Sequence, residues 1–252
     1  MQRVNYDKIA HLYDEPLRNY DVDVNLLAFL EERPDLSPAS LYVLDVGCGT
    51  GKQQTANQLH FSDSQLVGLD LFMGMLKQAQ KRGPAVHWTQ GDGAYLPFAT
   101  NSFDYVSNQF SYPHMQEKER FIEEVFRVLK PNGRFCMRNI DPWQMANWHI
   151  YRYFPAAQEL DFEDFLTAEQ FTSLMEAAGF TRIRSGREHL HLIQPLQSFY
   201  DYAAQRYRSS QFMAISDEAY QAGLAHLTAD LERHATIDYE VCLLTIMGDK
   251  AA

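Results

Sequence analysis

The sequence predicts an α/β fold: a doubly wound, mostly parallel sheet with helices on both faces and extra helical insertions. Three observations carry this reading. From residue 41 onward short apolar runs alternate with helical patterns, the order expected of parallel strands joined by crossover helices. The first run, Val43-Leu44-Asp45-Val46, ends in Gly47-Cys48-Gly49-Thr50-Gly51, a strand-to-helix turn in which glycine supplies positive φ or a close approach. The second, Leu66-Val67-Gly68-Leu69, ends in Asp70. Acids and glycines thus gather at strand tips, where open sheets bind ligands.

Residues 1–40 read as an N-terminal helical arm, with Val24, Leu27 and Leu30 on one helical face and Pro34 to Pro38 as a loop into the first strand. Strands are expected near 41–46, 65–70, 85–90, 103–108 and 134–140, with helices near 51–60, 72–82 and 115–130. The last helix is the best marked. Phe121, Ile122, Val125, Phe126 and Leu129 make one apolar face, with Glu117 and Glu119 at its start and Arg127 and Lys130 at its end, as the helix dipole favours. Two stretches exceed a minimal sheet domain. Residues 141–165 hold Trp143, Trp148, Tyr151, Tyr153, Phe154, Phe162 and Phe165. Residues 194–236 hold two helical patterns, near 195–208 and 216–234, where a hairpin needs only a few residues. Ser216 is the expected cap of the second. These insertions and the arm are expected to form a lid over the carboxyl ends of the strands, completing a domain over 41–252.

Composition narrows the partners. The chain of 252 residues carries a net charge of −11 and no basic stripe, which disfavours nucleic acid. Cys48, Cys136 and Cys242 are far apart in sequence and odd in number, as expected of buried thiols in a reducing compartment. No apolar run reaches the roughly 20 residues of a bilayer span, and Met1 to Tyr6 lacks a signal core. These features predict a cytoplasmic protein without a membrane partner; oligomeric state stays open. His189 and His191 alternate on a strand, but no third ligand accompanies them, so no metal is expected.

Three ligand cradles begin with a glycine turn of this kind. A phosphate loop fails at Val46, where its first glycine belongs, and at Gln53, where its hydroxyl belongs. A dinucleotide turn needs a third glycine where Lys52 stands. S-adenosylmethionine has no pyrophosphate and requires only room for its methionine part. At these residues the chain resembles the class I, seven-strand, S-adenosylmethionine-dependent methyltransferases, and is similar to the small-molecule enzymes of ubiquinone and menaquinone biosynthesis. The likeness runs in register over roughly residues 40–140, through Asp70, Gly91-Asp92-Gly93, Leu96-Pro97-Phe98, Ser102-Phe103-Asp104 and Leu129-Lys130-Pro131-Asn132-Gly133.

The resemblance implies a seven-strand sheet whose last strand is antiparallel, with Val241 to Met247 as the candidate. It implies S-adenosyl-L-methionine as cofactor, held by Gly47, Gly49 and Gly51, with Asp45 at its amino end, Asp70 on the ribose, Leu71 and Met75 beside it, Asp92 and Gly93 at the adenine, and Gln109 near the methionine part. Tyr6 and Tyr13, in Tyr6-Asp7-Lys8-Ile9-Ala10-His11-Leu12-Tyr13-Asp14, resemble an arm that folds over the cofactor, or are aromatics packing a helix on the core. Phe72 stands where the family often has a helix-capping Ser or Thr. In Ser111-Tyr112-Pro113-His114, His114 and Tyr112 are the candidate catalytic residues; a helix cap or lid packing is the other reading of His114. The implied activity is methyl transfer to O, N or C of a small molecule. A nicotinamide-dependent reductase, a non-catalytic regulator that binds the cofactor, and an RNA or protein methyltransferase are the competing classes.

Overall fold

The computed structural model describes residues 4–13 and 21–252; Met1 to Arg3, and Asp14 of the arm motif, lie outside the described residues. Seven strands form one sheet: β1 Tyr42–Val46, β2 Gln65–Asp70, β3 His87–Gln90, β4 Phe103–Gln109, β5 Leu129–Ile140, β6 Phe180–Pro195 and β7 Thr236–Lys250. Their order is β3-β2-β1-β4-β5-β7-β6. The pairs β1–β2, β1–β4, β2–β3 and β4–β5 are parallel, so the predicted doubly wound architecture is present, and strand order reverses between β1 and β4. Val241 to Met247 lies within β7, the strand between β5 and β6.

The helices are α1 Ala10–Tyr13, α2 Val24–Glu31, α3 Lys52–His60, α4 Met73–Gln80, α5 Lys118–Val128, α6 His149–Tyr153, α7 Pro155–Asp164, α8 Ala168–Ala178, α9 Leu196–Ala203, α10 Ser210–Ala214 and α11 Asp217–Leu231. Asp23 caps α2 by accepting the Asn25 N–H. The fully buried residues of α2 are Leu26 and Phe29; Leu27 and Leu30, which share a face by spacing, pack partly buried against the same core, and Val24 is exposed. β5 starts at Leu129 rather than 134, because the Lys130-Pro131-Asn132-Gly133 turn is a bulge inside the strand. Phe103 pairs with Leu129, and Tyr105 already pairs with Arg134.

The chain divides into two compact units, with boundaries inside β6 and β7. One comprises Asn5–Asn139, Ala168–Gly186 and Thr245–Ala252; the other comprises Met1–Val4, Ile140–Thr167 and Arg187–Leu244. In the first unit, Leu26, Phe29, Val43, Leu66 and Tyr105 belong to one core. The second has a core of its own. Trp148, Tyr151, Tyr153 and Phe154 from the first insertion pack with Phe199, Phe212, Tyr220 and Leu227 from the second. Ser216 caps α11 as expected, accepting the Ala219 N–H. Trp143 and Phe162 stay exposed, their ring centroids 5.5 Å apart. Buried Asp161 accepts from the Tyr151 hydroxyl at 2.7 Å and from Gln211 Nε2 at 3.0 Å, yet burial lifts its carboxyl to about 6.

Candidate active site

The reversal of strand order puts the tips of β1 and β4 side by side, the place where such sheets bind ligands. Gly47, Gly49 and Gly51 all have positive φ, at 76°, 55° and 77°, in the left-handed region that other residues enter only at a cost. Gly47 is needed for a second reason. A Cβ there would lie 2.1 Å from Ser111 Oγ, so the turns after β1 and β4 pass too close for a side chain. Asn108 locks them together: its Nδ2 donates to Val46 O at 2.8 Å and to Ser111 Oγ at 2.6 Å, and its Oδ1 accepts the Tyr112 N–H. Gly49 differs, because a Cβ there would meet nothing within 4 Å. Its face of the loop is open.

Asp70, at the tip of β2, holds this loop. Its Oδ2 accepts the Gly49 N–H at 2.8 Å and its Oδ1 the Phe72 N–H at 2.9 Å. Each oxygen keeps acceptor capacity, since a carboxylate offers about four lone-pair sites. Asp45 is buried on β1 and accepts from Ser107 Oγ at 3.0 Å. Burial pushes its carboxyl up to about 7, and the nearby carboxyls of Asp23 and Asp70 add to the shift. Burial raises Asp70 as well, against the pull of its backbone donors.

Asp23 is the residue that sequence reasoning missed. Besides capping α2, its Oδ2 accepts from the Tyr105 hydroxyl at 3.2 Å and from Gln109 Nε2 at 3.4 Å, and its N–H donates to Asn57 Oδ1. Burial raises this carboxyl too. Gln109, expected near the methionine part, is thus engaged with Asp23. Asp23 and Asp70 both lie close enough to Asp45 to add to its shift, so the three make a group of buried acids.

The adenine candidates lie along the next turn. Asp92 accepts the Ala94 N–H through Oδ1, and a Cβ on Gly93 would press on Met115 Sδ at 3.0 Å. Met75 is buried on α4, and Leu71 O accepts from Gln90 Nε2. Tyr6 reaches the turn after β4: its hydroxyl is 3.1 Å from His114 Nε2, and its ring meets Phe72 and Tyr13 edge-on at 5.5 and 5.7 Å. Tyr112 is buried, with its ring against Phe171 of α8 at 5.1 Å. Among the described residues no cluster of three or more His, Cys, Asp or Glu is placed to hold a metal, and no helix is long and apolar enough to cross a membrane. His189 and His191 are exposed, and all three cysteines are buried and free.

An open sheet with a glycine loop and an acid at the next strand tip defines a nucleotide-type cofactor binder of the doubly wound class. A family model described as a methyltransferase domain matches residues 44–137. A demethylmenaquinone methyltransferase from Streptomyces griseus is 31% identical over 60% of this chain and 69% of its own length. One from Renibacterium salmoninarum is 34% identical over 52% of this chain and 58% of its own. The chain therefore spans just over half the length of the first curated relatives it matches, 58% and 54%. The fold is shared with the phosphoethanolamine N-methyltransferase 2 of Haemonchus contortus solved with S-adenosyl-L-methionine. Their TM-score is 0.64 at 20% identity, covering 99% of this chain and 59% of that one. The chain belongs to the class I S-adenosylmethionine-dependent methyltransferases and is similar to the quinone-biosynthesis enzymes among them.

Proposed function

We propose that this protein transfers a methyl group from S-adenosyl-L-methionine to a small-molecule acceptor, in the cytoplasm. The observation that carries the reading is the group of buried carboxyls, with Asp45 and Asp70 beside a loop whose Gly49 face is open and Asp23 near Asp45. Carboxyls lifted by burial, with Asp23 and Asp70 adding repulsion at Asp45, gain from a cationic ligand. The cofactor brings a positively charged amine and sulfonium. Asp45 takes the amino end, the free lone pairs of Asp70 take the ribose hydroxyls, and Gly47, Gly49 and Gly51 leave room for the methionine part. Leu71, Met75, Asp92 and Gly93 line the adenine end. Gln109, whose side chain donates to Asp23, borders the methionine part through its backbone or side chain.

When bound, the cofactor supplies an activated methyl group, so alignment is the protein's main task. His114 is the proton acceptor where the acceptor molecule arrives protonated, and the hydrogen bond to Tyr6 fixes its ring. Tyr112 is the weaker candidate, because its ring is buried against Phe171. Tyr13 braces Tyr6. The likeness to demethylmenaquinone methyltransferases supports a reduced quinone ring as the first acceptor to try.

The test is a calorimetric titration with S-adenosylmethionine, S-adenosylhomocysteine and NADH, then methyl turnover on a panel led by a reduced naphthoquinone. Micromolar binding of the first two and none of the third is expected. Preference for the nicotinamide would overturn the reading.

A further inference from the structure

We propose that Asp7 is a positioning residue that fastens the N-terminal arm to the cofactor site by capping α4 from outside the helix. The α4 helix begins immediately beyond Asp70 and Leu71, yet its own N-cap, Phe72, makes no side-chain capping bond. An uncapped start leaves backbone N–H groups unsatisfied. The missing acceptor comes from the arm: Asp7 Oδ1 accepts the Gly74 N–H at 2.6 Å. A carboxylate at a helix N-terminus also meets the positive end of the dipole.

The fit requires glycine. A Cβ on Gly74 would lie 2.9 Å from Asp7 Oδ1 and 3.0 Å from both Asp7 Cα and Asp7 O, so the arm's backbone could not stay where it is. The neighbour of Asp7 is Tyr6, whose ring packs on Phe72 and whose hydroxyl meets His114. One carboxylate thus ties three things together: the helix that follows the ribose acid, the tyrosine on the arm, and the histidine after β4. Phe72 in place of a capping side chain and Gly74 in the first turn of α4 are together a single adaptation to this clasp.

The experiment uses the full chain and the variants Asp7→Ala, Asp7→Asn and Gly74→Ala. Trypsin cleavage after exposed Lys8, followed by mass spectrometry, reads the fastening without any ligand. A lost N-cap corresponds to roughly a fivefold change in an equilibrium, so Asp7→Ala should speed this cleavage about fivefold. Asp7→Asn, whose amide oxygen accepts the same N–H, should stay close to the parent. Gly74→Ala should match Asp7→Ala even though alanine strengthens the helix itself, which separates a lost clasp from a weakened α4. The Asp7→Ala and Gly74→Ala chains should also bind S-adenosylhomocysteine about fivefold more weakly, with Asp7→Asn restoring affinity. Unchanged Lys8 cleavage overturns the clasp, and faster cleavage with unaltered nucleoside affinity overturns the positioning role. The second readout rests on the cofactor reading. A parent chain that binds no nucleoside would refute that reading, while the Lys8 result would still judge the clasp.

Discussion

Replacing Asp45 with asparagine separates what this carboxyl costs the empty protein from what it gives the ligand. Asparagine is nearly isosteric and keeps an oxygen for Ser107 Oγ, now 3.0 Å away. The folded protein holds the Asp45 carboxyl at about 7 against an ordinary 3.8, through burial first and the neighbouring acids second. Each decade of proton affinity corresponds to about 1.4 kcal/mol, so ionising Asp45 in the ligand-free fold costs roughly 4 kcal/mol at most. The sign follows from linkage. Below pH 4 both folded and unfolded chains carry the proton and nothing is lost. As pH rises through 7 the unfolded chain releases it first, and the folded state loses stability. Asp45→Asn lacks this loss, so at pH 8 it should melt higher than the parent, by about half the limit or roughly 2 kcal/mol once its own amide is buried. At pH 4 only the cost of the buried amide remains, so the variant should there melt lower than the parent, by roughly 2 kcal/mol. Binding should run the other way. The cationic end of S-adenosylmethionine favours the ionised carboxyl, so parent affinity should tighten from pH 6 to 8 and then level off. Asp45→Asn should bind about 2 kcal/mol more weakly, the worth of a charged hydrogen bond, and with a flat pH profile. Thermal melts and calorimetry across pH 4–8 decide the matter. A variant less stable than the parent at pH 8, or one that keeps the parent's pH-dependent affinity, refutes the argument.

Other expectations are narrower. Asp70→Ala removes the acceptor of the Gly49 and Phe72 N–H groups and should weaken S-adenosylmethionine by about 1–3 kcal/mol; calorimetry showing no loss removes the ribose assignment. Gly47→Ala puts a Cβ 2.1 Å from Ser111 Oγ at a φ of 76° and should destabilise by about 2–4 kcal/mol from overpacking plus backbone strain, read by urea unfolding. The double variant with Ser111→Gly should recover the overpacking part and not the strain. In the second unit, Asp161 is held at about 6, so its contribution to stability falls as pH rises from 4 through 6. Asp161→Asn should remove that segment of the pH–melting curve, and an unchanged slope counts against the assignment.

What the sequence made legible was whatever short-range chemistry fixes. The turn at Gly47, Gly49 and Gly51 is a local backbone demand, Asp70 sits at the end of an apolar run, and α5 shows its buried face of Phe121, Ile122 and Val125. Helix α8 also carries a local mark of its start, the T-x-x-Q spacing of a capping box at Thr167 and Gln170. The site residues that escaped are those with two duties. Asp23 reads as an ordinary cap for α2, and its second role depends on Tyr105 and Gln109, far along the chain. Asn108 and Ser111 read as a strand end and a loop; only pairing of β1 with β4 makes them a lock. Asp7 reads as one acid in an arm motif, because nothing within the arm announces that its partner is Gly74.

The closeness of Gly47 and Ser111 reaches beyond stability. Two turns that approach this closely can change only together: a larger side chain at either one demands a concession from the other. Any redesign of this rim would therefore have to vary the two positions as a pair, because a change at one alone meets the other unmoved.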